Sequence, residues 1–249
     1  MKSKTELNSI NSKRPTTSKR EGNIDNFRDL GSLRTTSSET RPGFYFRSKK
    51  LSSPDLQFIK LLSDNKIKTV LDLRTEKETE ENPDDLVLFN NLEITYRQIG
   101  IKDLIHFSTL ACLKGELFTS YRDILENHRE EIGQIFEILN DSEKPLLIHC
   151  NGGKDRTGVI VMLLLKACGV VDEEIENDYV ISDYSNQLQI KENPHVFRFD
   201  PDSFVVHAYI EDAKKVLDYI KAEGGIEKYL FSCGVSLNLI EDIKTKFVF

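Results

Sequence analysis

Cys150 and Arg156 stand six residues apart in the run His149-Cys150-Asn151-Gly152-Gly153-Lys154-Asp155-Arg156-Thr157-Gly158. These types at this spacing suit attack on an anionic centre. A thiolate is a strong nucleophile, and a guanidinium offers paired donors to two oxygens of one phosphoryl group. Gly152 and Gly153 admit backbone angles that side chains forbid, so the amides from Asn151 through Arg156 can turn toward one point. Those amides, a helix dipole and Arg156 would all favour ionised sulfur. Sulfur attacking phosphorus would give a phosphocysteine, which water would then hydrolyse. The amides and Arg156 would hold the equatorial oxygens, and the Thr157 hydroxyl could donate to the departing sulfur.

Such a loop needs rigid elements on both sides. Before it, Pro145-Leu146-Leu147-Ile148 is a short apolar, β-type run. After it, Val159 to Leu165 is apolar all round, which predicts a buried helix closed by Gly169. Strand, glycine turn and helix N-terminus together make an anion cradle. A nucleotide P-loop would need glycine where Ile148 stands and Ser or Thr where Asp155 stands. A cysteine protease would need a histidine beside the sulfur, but His149, adjacent on a strand, points to the other face. A metal site would want further Cys or His close by, and a metal or cofactor is not expected.

The loop resembles the signature of cysteine-dependent phosphatases, and its Gly153-Lys154-Asp155-Arg156-Thr157-Gly158 half is similar to the tyrosine-phosphatase-like branch with mixed phosphoprotein and phosphoinositide activity. Four further blocks carry the resemblance: Asn26 to Gly31, Phe46-Arg47-Ser48, Val70 to Arg74, and Gly224 to Ser236. Ser32 departs from it, standing where a second glycine is usual, which touches a turn rather than the chemistry. The resemblance implies a single α/β domain with a central, mostly parallel sheet flanked by helices. It also implies phosphomonoester hydrolysis on phosphotyrosine or phosphoserine/threonine proteins, with phosphoinositides as the alternative. Arg47 is then expected to lend charge to the phosphate pocket. Lys154 adds a rim cation that could read a second phosphate or merely neutralise the cradle. A non-catalytic phosphate-binding module would keep the cradle but lose the nucleophile or its arginine, and both are here.

The chain has 249 residues, enough for a large core, with 39% hydrophobic and 30% charged residues. Its net charge of −7 argues against a nucleic-acid partner. No apolar run approaches the roughly 20 residues that span a bilayer. Four cysteines at irregular spacing, one wanted as a free thiol, point to a reducing cytoplasm or nucleus. Cys112, Cys168 and Cys233 read as small core residues. Residues 1–21 hold six Lys/Arg against two Glu and almost nothing apolar, so a disordered basic tail is expected, with weak contact to anionic membrane as its functional alternative. The folded domain is expected over 22–249.

Along that domain, Arg28 and Asp29 are expected to contact each other or the site. Strands are predicted at 44–46, 68–73 and 94–101, with Asp72 and Arg74 at a carboxyl end where ligands collect. Ser53-Pro54 reads as a helix start. The acidic stretch 75–84 reads as surface, and 102–116 as a mobile cover. Apolar residues from Leu117 to Leu139 recur at helical spacing and predict one long helix. Further helices are predicted over 172–192, 205–222 and 236–247, the last capped by Ser236. His106, His128, His195 and His207 have no partners at ligand spacing.

A general acid must protonate the leaving group. The resemblance favours Asp155, although Lys154 and Arg156 beside it favour its charged form. Asp72 and Asp103 stand as alternatives.

Overall fold

The computed structural model describes residues 25–103, 116–192 and 203–249. The tail at 1–21, the body of the expected cover, Cys112, His106 and His195 lie outside the described residues. Five strands form one sheet: β1 (Arg28–Asp29), β2 (Tyr45–Ser48), β3 (Thr69–Asp72), β4 (Thr95–Gln98) and β5 (Leu146–His149), in the order β1-β2-β5-β3-β4. Only β1 runs antiparallel. The parallel strands are shorter than the predicted runs at 68–73 and 94–101.

β5 sits between β2 and β3, and a central parallel strand covered on both faces favours an apolar run, here Leu146 to Ile148 ahead of the buried His149. Its alternation sorts the two cores. Leu147 packs with Phe46, Val70, Phe58, Leu62 and Phe89 on one face. Leu146 and Ile148 pack with Tyr45, Leu71 and the larger set of helices on the other. The smaller layer is α1 (Leu56–Asp64) and α3 (Leu86–Asn91); between them in sequence comes α2 (Glu76–Glu81). The larger layer is α4 (Phe118–Asn127), α5 (Arg129–Asp141), α6 (Asp155–Ala167), α7 (Asp172–Glu192), α8 (Ile210–Ala222), α9 (Ile226–Ser232) and α10 (Leu237–Phe247). α6 is wrapped on all sides, with every side chain from Arg156 to Leu165 buried, and Gly169 closes it at φ +75°.

Several expectations need correction. The helix predicted across 117–139 is two helices. His128 leaves the helical region at φ −120°, ψ 34°, so that α4 faces α6 and α8 while α5 turns to α10. The α1 cap is Asp55, whose side chain accepts from the Phe58 N–H, rather than Ser53. The helix expected from 205 begins at Ile210. The acidic stretch forms α2 and the start of the connection to α3, and both Glu78 and Asp84 are buried. Ser236 does cap α10, accepting from the Leu239 N–H. Ser32 adopts φ +54°, a left-handed angle that glycine takes without strain, which is why a glycine suits that turn.

Gly133, inside α5, marks a backbone contact: a Cβ there would lie 2.2 Å from the Cys233 carbonyl oxygen. Among the described residues no helix is long and apolar enough to cross a membrane.

Candidate active site

The register places Ser48, His149 and Asp72 side by side at the carboxyl ends of β2, β5 and β3. Cys150 follows His149 directly and is 3% exposed. The loop leaves β5 there and enters α6 at Asp155.

Three successive loop carbonyls are held from behind. The Lys50 N–H donates to the Asn151 carbonyl at 3.0 Å. Asn26 Nδ2 donates to the Gly152 carbonyl at 3.1 Å, and Arg47 Nη2 to the Gly153 carbonyl at 2.7 Å. In a planar trans peptide each carbonyl opposes the next residue's N–H. The N–H groups of Gly152, Gly153 and Lys154 therefore point the other way. Gly153 has φ +69°, and a Cβ on it would lie 2.1 Å from the Ser48 carbonyl oxygen, so only glycine fits.

Arg47 thus stands behind the loop rather than on the side its amides face. It is fully buried, and its Nη1 meets Asp178 Oδ2 at 2.6 Å. Arg28 reaches the same carboxylate, with Nε 2.8 Å from Asp178 Oδ1. Asp29 instead accepts from the N–H groups of Gly31 and Gly43. One buried carboxylate from α7 thus orders two arginines behind the loop. Lys154 also departs from expectation. It is buried rather than at the rim, and its Nζ donates to the carbonyls of Val205 at 2.6 Å and His207 at 2.9 Å. Asp183 and Asn186 hold the same segment, through the Ala208 N–H and the Val206 carbonyl.

Arg156 is buried among carboxylates. Its Nη1 and Nη2 each lie 2.7 Å from a Glu78 oxygen, and its Nε lies 2.7 Å from Asp103 Oδ2. Burial alone disfavours the charge, but Asp103 and Glu78 more than offset it and hold the guanidinium protonated. Thr157 is buried, and its hydroxyl has no hydrogen-bond partner among the described residues.

The three candidate acids occupy different settings. Asp72 is fully buried, takes bonds from Arg74 Nε and Nη2 at 3.0 and 2.7 Å, and accepts from Tyr96 at 2.8 Å. Asp103 is held on Arg156. Asp155 opens α6, and its side chain is 20% exposed.

Asp72, Asp84 and His149 converge closely enough to hold a metal ion. Arg74 Nη2 already lies 2.7 Å from Asp72 and 2.9 Å from Asp84, so a guanidinium takes the cation's position. His149 Nε2 lies 3.1 Å from Asp84 Oδ2.

The model of the tyrosine phosphatase family matches residues 21–249. The chain belongs to the tyrosine phosphatase family. A tyrosine-protein phosphatase of Nostoc commune is 28% identical over 197 residues, covering 72% of this chain and 66% of that protein. The triple specificity protein phosphatase PtpB of Mycobacterium tuberculosis is 28% identical over 187 residues, covering 64% and 65%. The chain therefore spans just under two thirds of the length of these family relatives. Among solved structures, P. aeruginosa TpbA is 14% identical with a TM-score of 0.42, over 82% of this chain and 96% of that one.

The residues that sequence reasoning missed are Glu78 and Asp178, which hold Arg156 and Arg47 from α2 and α7.

Proposed function

We propose that this chain hydrolyses phosphomonoesters on proteins through a phosphocysteine. The observation that carries this reading is the pinning of the Asn151, Gly152 and Gly153 carbonyls behind the loop, which aims the opposing N–H groups at a common point beside Cys150.

The Cys150 thiolate attacks phosphorus. As the S–P bond forms, the bond to the leaving oxygen breaks, and Asp155 gives that oxygen its proton. Glu78 holds the end of the Arg156 guanidinium, leaving the Nε/Nη2 edge for two phosphate oxygens. Asp103 stands on that edge at Nε, and the phosphate displaces it. Water then attacks phosphorus, Asp155 takes the water's proton, and the S–P bond breaks. Thr157, whose hydroxyl is uncommitted among the described residues, donates to the departing sulfur. Asp72 serves poorly as the acid, since Arg74 and Tyr96 hold its carboxylate in the interior.

Phosphotyrosine and phosphoserine/threonine proteins are preferred to phosphoinositides as substrates, because Lys154 faces Val205 and His207 rather than a ligand. Free Cys150, Cys168 and Cys233 suit a reducing, cytoplasmic setting. The test is phosphate release from a panel of phosphopeptides and phosphoinositides by the wild type and by Cys150→Ser. Release from phosphopeptides that Cys150→Ser abolishes is expected. No release from any member overturns the proposal, and release from phosphoinositides alone overturns the substrate assignment.

A further inference from the structure

Two phenols stand behind Asp155. Tyr121, on α4, donates from its hydroxyl to Asp155 Oδ1 at 2.6 Å. The same hydroxyl oxygen lies 2.5 Å from that of Tyr179, on α7. Both side chains are fully buried, and the rings meet edge to face with centroids 6.2 Å apart. Each phenol has one proton to give. Because Tyr121 gives its proton to the carboxylate, it can only accept from Tyr179. The order is therefore fixed as Tyr179 to Tyr121 to Asp155.

Neither phenol ionises in this setting. For both, burial comes first and the nearby Asp155 charge second in pushing the pKa well above the ordinary tyrosine value. They are permanent donors.

The ring of Tyr179 depends on Gly158. A Cβ at 158 would lie 3.2 Å from two of the ring carbons. The last glycine of the loop motif thus leaves room for the second phenol.

The two oxygens of Asp155 are treated differently. Oδ1 receives Tyr121 and lies 3.2 Å from Lys154 Nζ. Oδ2 has no hydrogen bond among the described residues and belongs to a partly exposed side chain. Asp212 on α8 adds a further carboxyl in this neighbourhood, and it feels the charges of Lys154 and Asp155.

We infer that Tyr121, backed by Tyr179, is a positioning residue for the leaving-group step: it fixes the Asp155 carboxyl by Oδ1 so that Oδ2 faces the departing oxygen. This rests on Asp155 being the general acid. As the P–O bond breaks, the proton on Oδ2 passes to the leaving oxygen and Asp155 becomes a carboxylate. A hydrogen bond to an ionised acceptor is roughly twice as strong as one to a neutral acceptor. The Tyr121 bond therefore strengthens as the proton leaves, and it stabilises the transition state more than the ground state.

The test compares kcat/KM on p-nitrophenyl phosphate, a good leaving group, with that on phenyl phosphate, a poor one, for Tyr121→Phe, Tyr179→Phe and Asp155→Asn. Tyr121→Phe is expected to lose about tenfold on phenyl phosphate and under twofold on p-nitrophenyl phosphate, with KM little changed. Tyr179→Phe loses less, in the same direction. Adding Tyr121→Phe to Asp155→Asn is expected to cost nothing further. Equal losses on both substrates for Tyr121→Phe, beside a steep difference for Asp155→Asn, overturn the inference alone. Equal losses for Asp155→Asn remove Asp155 as the acid and the inference with it. Thermal melting of each variant shows whether a uniform loss comes from unfolding.

Discussion

Glu78 grips both terminal nitrogens of Arg156 at 2.7 Å, across 78 residues of chain and with both side chains buried. This fork fixes the plane of the guanidinium before any substrate arrives. It also ties α2, an otherwise acidic helix of six residues, to the first turn of α6.

Glu78→Gln keeps the shape but replaces one accepting oxygen with a donor facing another donor. Asp103 remains to balance part of the Arg156 charge. The expected outcome is a loss of stability on the order of 3 kcal/mol, read from the urea midpoint. The accompanying fall in kcat/KM on p-nitrophenyl phosphate should be about a hundredfold, since the phosphate grip loses its orientation.

Gly153→Ala tests the cradle itself. A methyl group there would lie 2.1 Å from the Ser48 carbonyl, at a backbone φ of +69°. The loop must move, and the amide it aims must move with it. Activity should fall by at least about a hundredfold, while inorganic phosphate should inhibit at least about tenfold less strongly.

The buried histidine predicts how stability follows pH. Burial works against charge on His149, but Asp72 and Asp84 outweigh it and raise its pKa from 6.5. A raised folded-state value means that the protonated form stabilises the fold. That contribution is complete below pH 6.5 and is lost as pH climbs through the higher folded-state value. Urea midpoints taken from pH 6 to 9 should therefore decline for the wild type, and decline less for His149→Asn. Parallel curves for the two proteins would rule this contribution out.

Cys168 lies at the end of α6, where burial pushes its thiol up to about 12. A thiol so placed is inert. Native protein treated with iodoacetamide at pH 8 should leave Cys168 unmodified by peptide mass spectrometry, and denaturant should expose it. Labelling of Cys168 in the native state would refute its packing.

The chemistry was legible in the sequence because it confines many residue types to one short loop. Cys150 and Arg156 carry the proposed reaction and Gly153 the turn between them, whereas Gly152 has open space where a Cβ would stand; the apolar runs on either side announce β5 and α6. The second layer leaves no such trace. Glu78 stands in an acidic run that composition alone sends to the surface, and only folding sets one member of that run against Arg156. Tyr121 and Tyr179 fit the apolar faces of α4 and α7, so periodicity reads them as core. Arg47 and Lys154 differ in another way. Their cationic heads are expected near the phosphate, and the partners that place them, Asp178 and two backbone carbonyls, come from parts of the chain that no local motif marks. The break at His128 turns on one residue's backbone angles, which helical spacing on both sides conceals.

Because the Lys154 ammonium is capped by the backbone of Val205 and His207, an acylating reagent can reach it only when that strap lifts. Its rate of labelling therefore counts how often residues 203–208 come away. The loop carbonyls themselves stay on Lys50, Asn26 and Arg47, so such a breath frees the Lys154 side chain without releasing the turn. Labelling at one buried ammonium thus reports the seating of a segment that Asn186 and Asp183 of a neighbouring helix also hold.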